Sequence, residues 1–187
     1  MVALTSLWLP MLLSAVFVFL ASSILHMVLT YHRADYRALP SEDQVMAALR
    51  PFRIPPGDYF VPHASSPNAM KSPAFAEKIK QGPVALMTVL PTGQSGMGAQ
   101  LAQWFGYCLV VSLFAGYLAS RSLGPGAEYL DVSQIASTAA FMGYGLALWQ
   151  NSIWFRKSWA ATLRSNLDAL LYGFLTGGTF GWLWPSL

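Results

Sequence analysis

Four stretches of this chain, near residues 7–30, 99–120, 130–154 and 165–184, each approach the twenty or so consecutive apolar residues a helix needs to cross a hydrocarbon core about 30 Å thick. Inside lipid every backbone N–H and C=O must find its partner within the protein, so runs of this length specify helices. Of the 187 residues 55% are hydrophobic and only 10% are Asp, Glu, Lys or Arg, against about 25% charged in a soluble domain. Composition therefore excludes a disordered chain, a collagen-like repeat and a typical cytosolic enzyme. The expected fold class is an all-α membrane protein: a bundle of four transmembrane helices with a small Pro-rich mixed α/β segment between the first and second.

Charge placement orients the bundle. Arg33, Arg37, Arg50, Arg53, Lys71, Lys78, Lys80, Arg156, Lys157 and Arg164 fall on one side of four crossings, and Arg121 alone falls on the other. The positive-inside rule makes the basic side cytoplasmic and puts both termini outside. Trp8, Tyr129, Trp182 and Trp184 would mark the outer interface, and Tyr31, Trp104, Trp154 and Trp159 the inner one. The parts expected are a first helix in 1–30, a cytoplasmic mini-domain in 31–98 and three further helices in 99–187. The first span has no basic residue before it and no small-x-small cleavage site, so it reads as an uncleaved anchor. Topology accounts for the net charge of +3 without nucleic acid; lipid is the expected contact.

Nine of the twelve prolines lie in 31–98, which rules out long helices there. Ser41-Glu42-Asp43-Gln44 reads as a capping box ahead of a short helix stopped by Pro51. Ser72, Pro73 and Gly82 bracket a second short helix. Tyr59–His63 and Val84–Leu90 read as strands able to pair. The Gly-rich loop from Thr92 to Gly98 lacks the Lys-Ser/Thr of a P-loop and reads as a hinge.

Polar side chains within spans are costly and mark function by default. At 1.5 Å rise per residue, His26 and Asp168 lie at matching depth about one turn inside the inner interface, with Gln103, Tyr107, Gln150, Asn151 and Tyr172 close to that level. These seven form an expected intramembrane polar layer. It serves either as an interhelical network that fixes register or as a His26–Asp168 proton relay or substrate site. No metal or cofactor is expected: of three histidines only His26 is within a span, and His32 with Asp35 is a common spacing at the surface. The single cysteine, Cys108, excludes Cys-x-x-Cys chemistry and sits in an apolar run, so it reads as inert. No catalytic motif is present, neither Gly-x-Ser-x-Gly nor His-Glu-x-x-His.

Gly173, Gly177 and Gly181 form a double G-x-x-x-G stripe, and Ser112, Gly116 and Ser120 repeat the small-residue spacing on the second span. Such faces serve either a partner subunit or packing within the bundle. Pro55-Pro56-Gly57-Asp58-Tyr59, Met70-Lys71-Ser72-Pro73, Gly82-Pro83-Val84 and Gly178-Thr179-Phe180-Gly181-Trp182-Leu183-Trp184-Pro185 together resemble a group of uncharacterised small bacterial four-span inner-membrane proteins. That resemblance implies a bacterial inner (plasma) membrane and no particular chemistry. The function expected is a non-catalytic accessory or scaffold subunit that packs against itself or a larger membrane complex through its glycine-rich faces. The alternative is a small transporter or proton-coupled carrier built on His26 and Asp168.

Overall fold

The computed structural model describes residues 1–93 and 96–186. In chain order the helices are α1 (Trp8–Ser23), α2 (Glu42–Leu49), α3 (Pro67–Met70), α4 (Pro73–Gln81), α5 (Gly98–Ser122), α6 (Tyr129–Tyr144), α7 (Trp149–Phe155) and α8 (Trp159–Trp182); the strands are β1 (Gly57–Val61) and β2 (Ala85–Val89). Two compact units result, one of Met1–Arg37 with Gly96–Leu187 and one of Ala38–Ser95. The division falls after Arg37, not at residue 30, so the segment following α1 belongs with the long helices.

The smaller unit has a two-stranded antiparallel sheet pairing Gly57 with Val89 and Val61 with Ala85. Ser72 caps α4 by accepting from the Phe75 N–H at 3.2 Å, with Pro73 in the first turn. The capping box expected at Ser41 does not form. Ser41 is left-handed, with φ 49° and no side-chain cap, and its carbonyl takes the N–H groups of Gln44 and Val45. Within the Thr92–Gly98 loop, Gln94 and Ser95 lie outside the described residues.

In the larger unit, Leu4–Val28 and Gly98–Ser122 are long and apolar enough to cross a membrane, which points to membrane association. Of the four spans expected, these two among the described residues have the length and apolarity to cross. α8 matches them in length at 24 residues but carries Arg164, Asn166 and Asp168. The stretch 130–154 is broken: α6 stops after 16 residues, a 3₁₀ turn covers Leu146–Leu148, and α7 follows. The break sits at Gly145, where a Cβ would lie 2.9 Å from Ala169 Cβ and 3.0 Å from Asn166 Oδ1. α8 passes too close there for any side chain.

Small residues set the packing. A Cβ on Gly177 would meet the Ser133 carbonyl oxygen at 2.5 Å, one on Gly173 the Ser137 carbonyl oxygen at 3.0 Å, and one on Gly181 the Tyr129 ring at 2.7 Å. The G-x-x-x-G stripe is thus filled by α6 of the same chain. On α5, Gly116 faces Phe180 and Met11, Ser112 donates to the Met11 carbonyl at 2.7 Å, and Ser120 is buried, donating to the Tyr117 carbonyl at 2.8 Å. These small-residue positions are taken up by contacts within the chain. Two clusters form the core, one around Leu7, Val132 and Phe180 and one around Val18, Cys108, Tyr144 and Tyr172.

Gly177→Leu should therefore separate α6 from α8 and cost about 2–3 kcal/mol, seen as a lower melting temperature in detergent. Gly106→Ala is the control, since a Cβ there meets nothing within 4 Å. It should leave the midpoint unchanged or slightly raised; equal losses from both substitutions would contradict the described helix contact.

Candidate functional site

The polar centre of the bundle forms where α1 ends. Its last turn, Ile24–Val28, is a π-turn closed by the Leu29 N–H on the Ile24 carbonyl at 3.0 Å. π-turns re-aim side chains and recur at functional sites. Leu29 is extended, and a 3₁₀ turn at Tyr31–Asp35 then brings the chain back against α8. Three side chains consequently meet the buried Asp168 carboxylate, which is 5% exposed. His32 Nε2 lies 2.7 Å from Asp168 Oδ2, His26 Nε2 lies 3.8 Å from the same oxygen, and the Tyr31 hydroxyl donates to Oδ1. The rings lie tilted against one another along the approach, with centroids 4.3 Å apart for His26–His32 and 4.2 Å for Tyr31–His32.

Behind His32 stands a second carboxylate. Asp35 Oδ2 lies 2.7 Å from His32 Nδ1, and Asp35 Oδ1 accepts from Arg164 Nε at 2.9 Å and from the neighbouring guanidinium nitrogen. Burial alone would raise the Asp35 carboxyl, but the His32 hydrogen bond and the Arg164 charge outweigh it and hold that carboxyl below its ordinary range. An ionised Asp35 only accepts, so Nδ1 of His32 must be the donor. Its Nε2 is then left facing Asp168.

Beside this cluster lies a cavity of about 330 Å³ bordered by His26, Trp104, Tyr107, Tyr144, Asp168 and Tyr172. Gly143 and Tyr144 before the α6 break and Ala147 and Leu148 after it also border the cavity, and the Tyr107 hydroxyl donates to the Gly143 carbonyl at 2.6 Å. The aromatic wall is packed ring on ring, with Tyr144 and Tyr172 edge-to-face at 5.4 Å. Both hydroxyls are buried without a hydrogen-bond partner among the described residues. The Cys108 thiol lies beside the Tyr144 hydroxyl. His26 and Trp104 also line an adjoining apolar groove of about 280 Å³ with Ser22, Ser23, Met27, Met97 and Leu101. There the Trp104 N–H donates to Ser22 Oγ at 2.7 Å.

Of the expected polar layer, His26, Tyr107, Asp168 and Tyr172 converge. Gln103 and Gln150 are exposed, and Asn151 borders a different cavity, with Asp35 and Lys157. Equal depth does not impose equal azimuth. The residues sequence reasoning left out of the layer are Tyr31, His32, Asp35, Trp104, Tyr144 and Arg164. One usable signal was present: Arg164 and Asp168 are four apart, so they share a helix face that runs from the interface inward. Comparison with protein-family models, with curated proteins and with solved structures finds no match for the chain.

The Asp35–Arg164 pair is partly sheltered, with side chains 11% and 26% exposed. A double-mutant cycle with Asp35→Asn and Arg164→Gln should give a coupling of about 1–3 kcal/mol, above the value for a solvated surface pair. Strictly additive losses in thermal unfolding would count against it.

Proposed function

We propose that this chain is a four-span membrane protein that binds a small amphiphilic molecule in a cavity inside its bundle, near the basic, cytoplasmic face. The burial pattern supports the four spans. Ser14, Ser22, Ser112, Ser120, Thr162, Asn166, Asp168, Thr176 and Thr179 are buried, while Leu163, Leu167, Leu170, Leu171 and Phe174 run down the exposed face of α8 at helical spacing. A polar inside and a large apolar outside would aggregate in water and suit a bilayer. Arg33, Arg37, Arg156, Lys157 and Arg164 cluster at the end carrying His26 and Asp168, and Arg121 is at the other, which favours the cytoplasm for the first end.

The carrying observation is the broken α6 beside Asp168. Irregular backbone at membrane depth is tolerated where it lines a cavity, and discontinuous helices are the usual way membrane proteins build binding sites. Hydrogen-bonding groups on one side of His26 and Trp104 and an apolar groove on the other fit a compact polar head with an apolar tail. The scaffold reading loses its main support, because the glycine faces it relied on are filled by α6, Phe180 and Met11.

The test is native mass spectrometry of the protein released in mild detergent from the membrane that made it. A bound small molecule is expected at equal stoichiometry, and Ala147→Phe, at the cavity rim, should expel it. Tyr172→Phe should weaken retention yet raise the melting temperature of the empty protein, since removing an unsatisfied buried hydroxyl relieves a cost of about 1–3 kcal/mol. A bare chain, or a ligand retained by Ala147→Phe, would overturn the cavity reading; a large defined hetero-complex would restore the scaffold.

A further inference from the structure

We infer that His26, His32 and Asp168 form a binding site for one divalent first-row transition metal ion, open towards the cavity. This goes beyond the amphiphile reading and does not rest on it, because the metal is assayed alone. The ligand atoms, two imidazole nitrogens and one carboxylate oxygen, all lie within 4.8 Å of one another. Donors on one ion at about 2.0–2.2 Å are about 3–3.5 Å apart. The observed 2.7 Å from His32 to Asp168 and 3.8 Å from His26 to the same oxygen straddle that range. The remaining edge, between the two imidazole nitrogens, lies within 4.8 Å and draws in as the rings turn onto an ion.

The surroundings distinguish this trio from a chance meeting of polar side chains. Metal-bound histidines nearly always donate their second ring N–H to a carboxylate or carbonyl, which sets the tautomer and aims the free nitrogen. His32 does so to Asp35, and Arg164 in turn anchors Asp35. The Asp168 carboxylate is oriented likewise, with Tyr31 on Oδ1 and Oδ2 directed at both histidines.

Three protein ligands leave a coordination position vacant, as in sites that exchange water or substrate. His26, with its side chain 48% exposed, and Asp168 both border the cavity, so the vacant position opens there. Mixed imidazole and carboxylate donors select Zn²⁺, Fe²⁺, Co²⁺ or Mn²⁺ over Mg²⁺ and Ca²⁺, which take all-oxygen sites.

The full chain, without a polyhistidine tag, is reconstituted in nanodiscs, stripped with chelator and titrated with Co²⁺. The visible d–d bands report coordination, and Zn²⁺ is added as competitor. One equivalent of Co²⁺ is expected, displaced by Zn²⁺ and unaffected by millimolar Mg²⁺. His32→Ala and Asp168→Asn should abolish the bands. His26→Ala, at the most exposed ligand, should weaken binding without threatening the fold. Asp35→Asn should keep the stoichiometry but lower affinity about 10–100-fold, as for other supporting partners of a metal-bound histidine. His63→Ala, in the smaller unit, is the neutral control. Absence of saturable Co²⁺ binding, or equal binding by His26→Ala protein that elutes and melts like the parent, would overturn the site. Either failure leaves the small-molecule result of the preceding test standing, so the two readings fail separately.

Discussion

A carboxylate inside an apolar helix bundle is expensive unless its charge is shared and its oxygens are occupied. Asp168 is that group, and much of the local chain path answers to it. The π-turn ending α1 and the 3₁₀ turn after it carry His26, Tyr31 and His32 to its oxygens. Asp35 arrives with the same turn and would itself be a stranded anion, were Arg164 not one helical turn before Asp168 on α8. Two acids, two imidazoles and a guanidinium thus form one connected network. Half-satisfied, such a network would cost more than an apolar core.

That network exists only because the helices come close. Gly145, Gly173 and Gly177 let α6 lie nearly backbone to backbone on α8, and Ser112 brings α5 to the Met11 carbonyl of α1. The same closeness interrupts α6, and the interruption opens the aromatic cavity beside Asp168. Packing and site are one arrangement seen at two depths. The glycine stripe, the strongest motif in the chain, is spent on internal packing.

Several features were legible before any fold was known. That His26 and Asp168 stand at one level followed from helical rise, because distance along a helix axis is nearly independent of the neighbours; that they meet depends on rotation as well. The two strands and the Ser72 cap followed from local chemistry, which acts over three or four residues. Ser41 shows the limit of that reasoning: its sequence is right for a capping box, but a left-handed backbone turns the hydroxyl away. Gln103 and Gln150 show another, since rotation about a helix axis depends on which neighbours pack where. His32 was visible only as a surface residue near Asp35, because nothing local dictates that the chain after α1 folds back.

By itself, then, the sequence determined the apolar helices, the asymmetric basic charge, the short elements of the smaller unit and the matching level of His26 and Asp168 along their helices. Each follows from composition or from periodicities intrinsic to the backbone. Only the tertiary structure decided that α6 breaks at Gly145, that the glycine face is filled from within, and that His32 joins Asp168 with Asp35 and Arg164 behind it. Those outcomes turn on contacts between residues far apart in the chain, such as Gly145 with Ala169, Gly177 with Ser137 and His32 with Asp168, and no local preference encodes them.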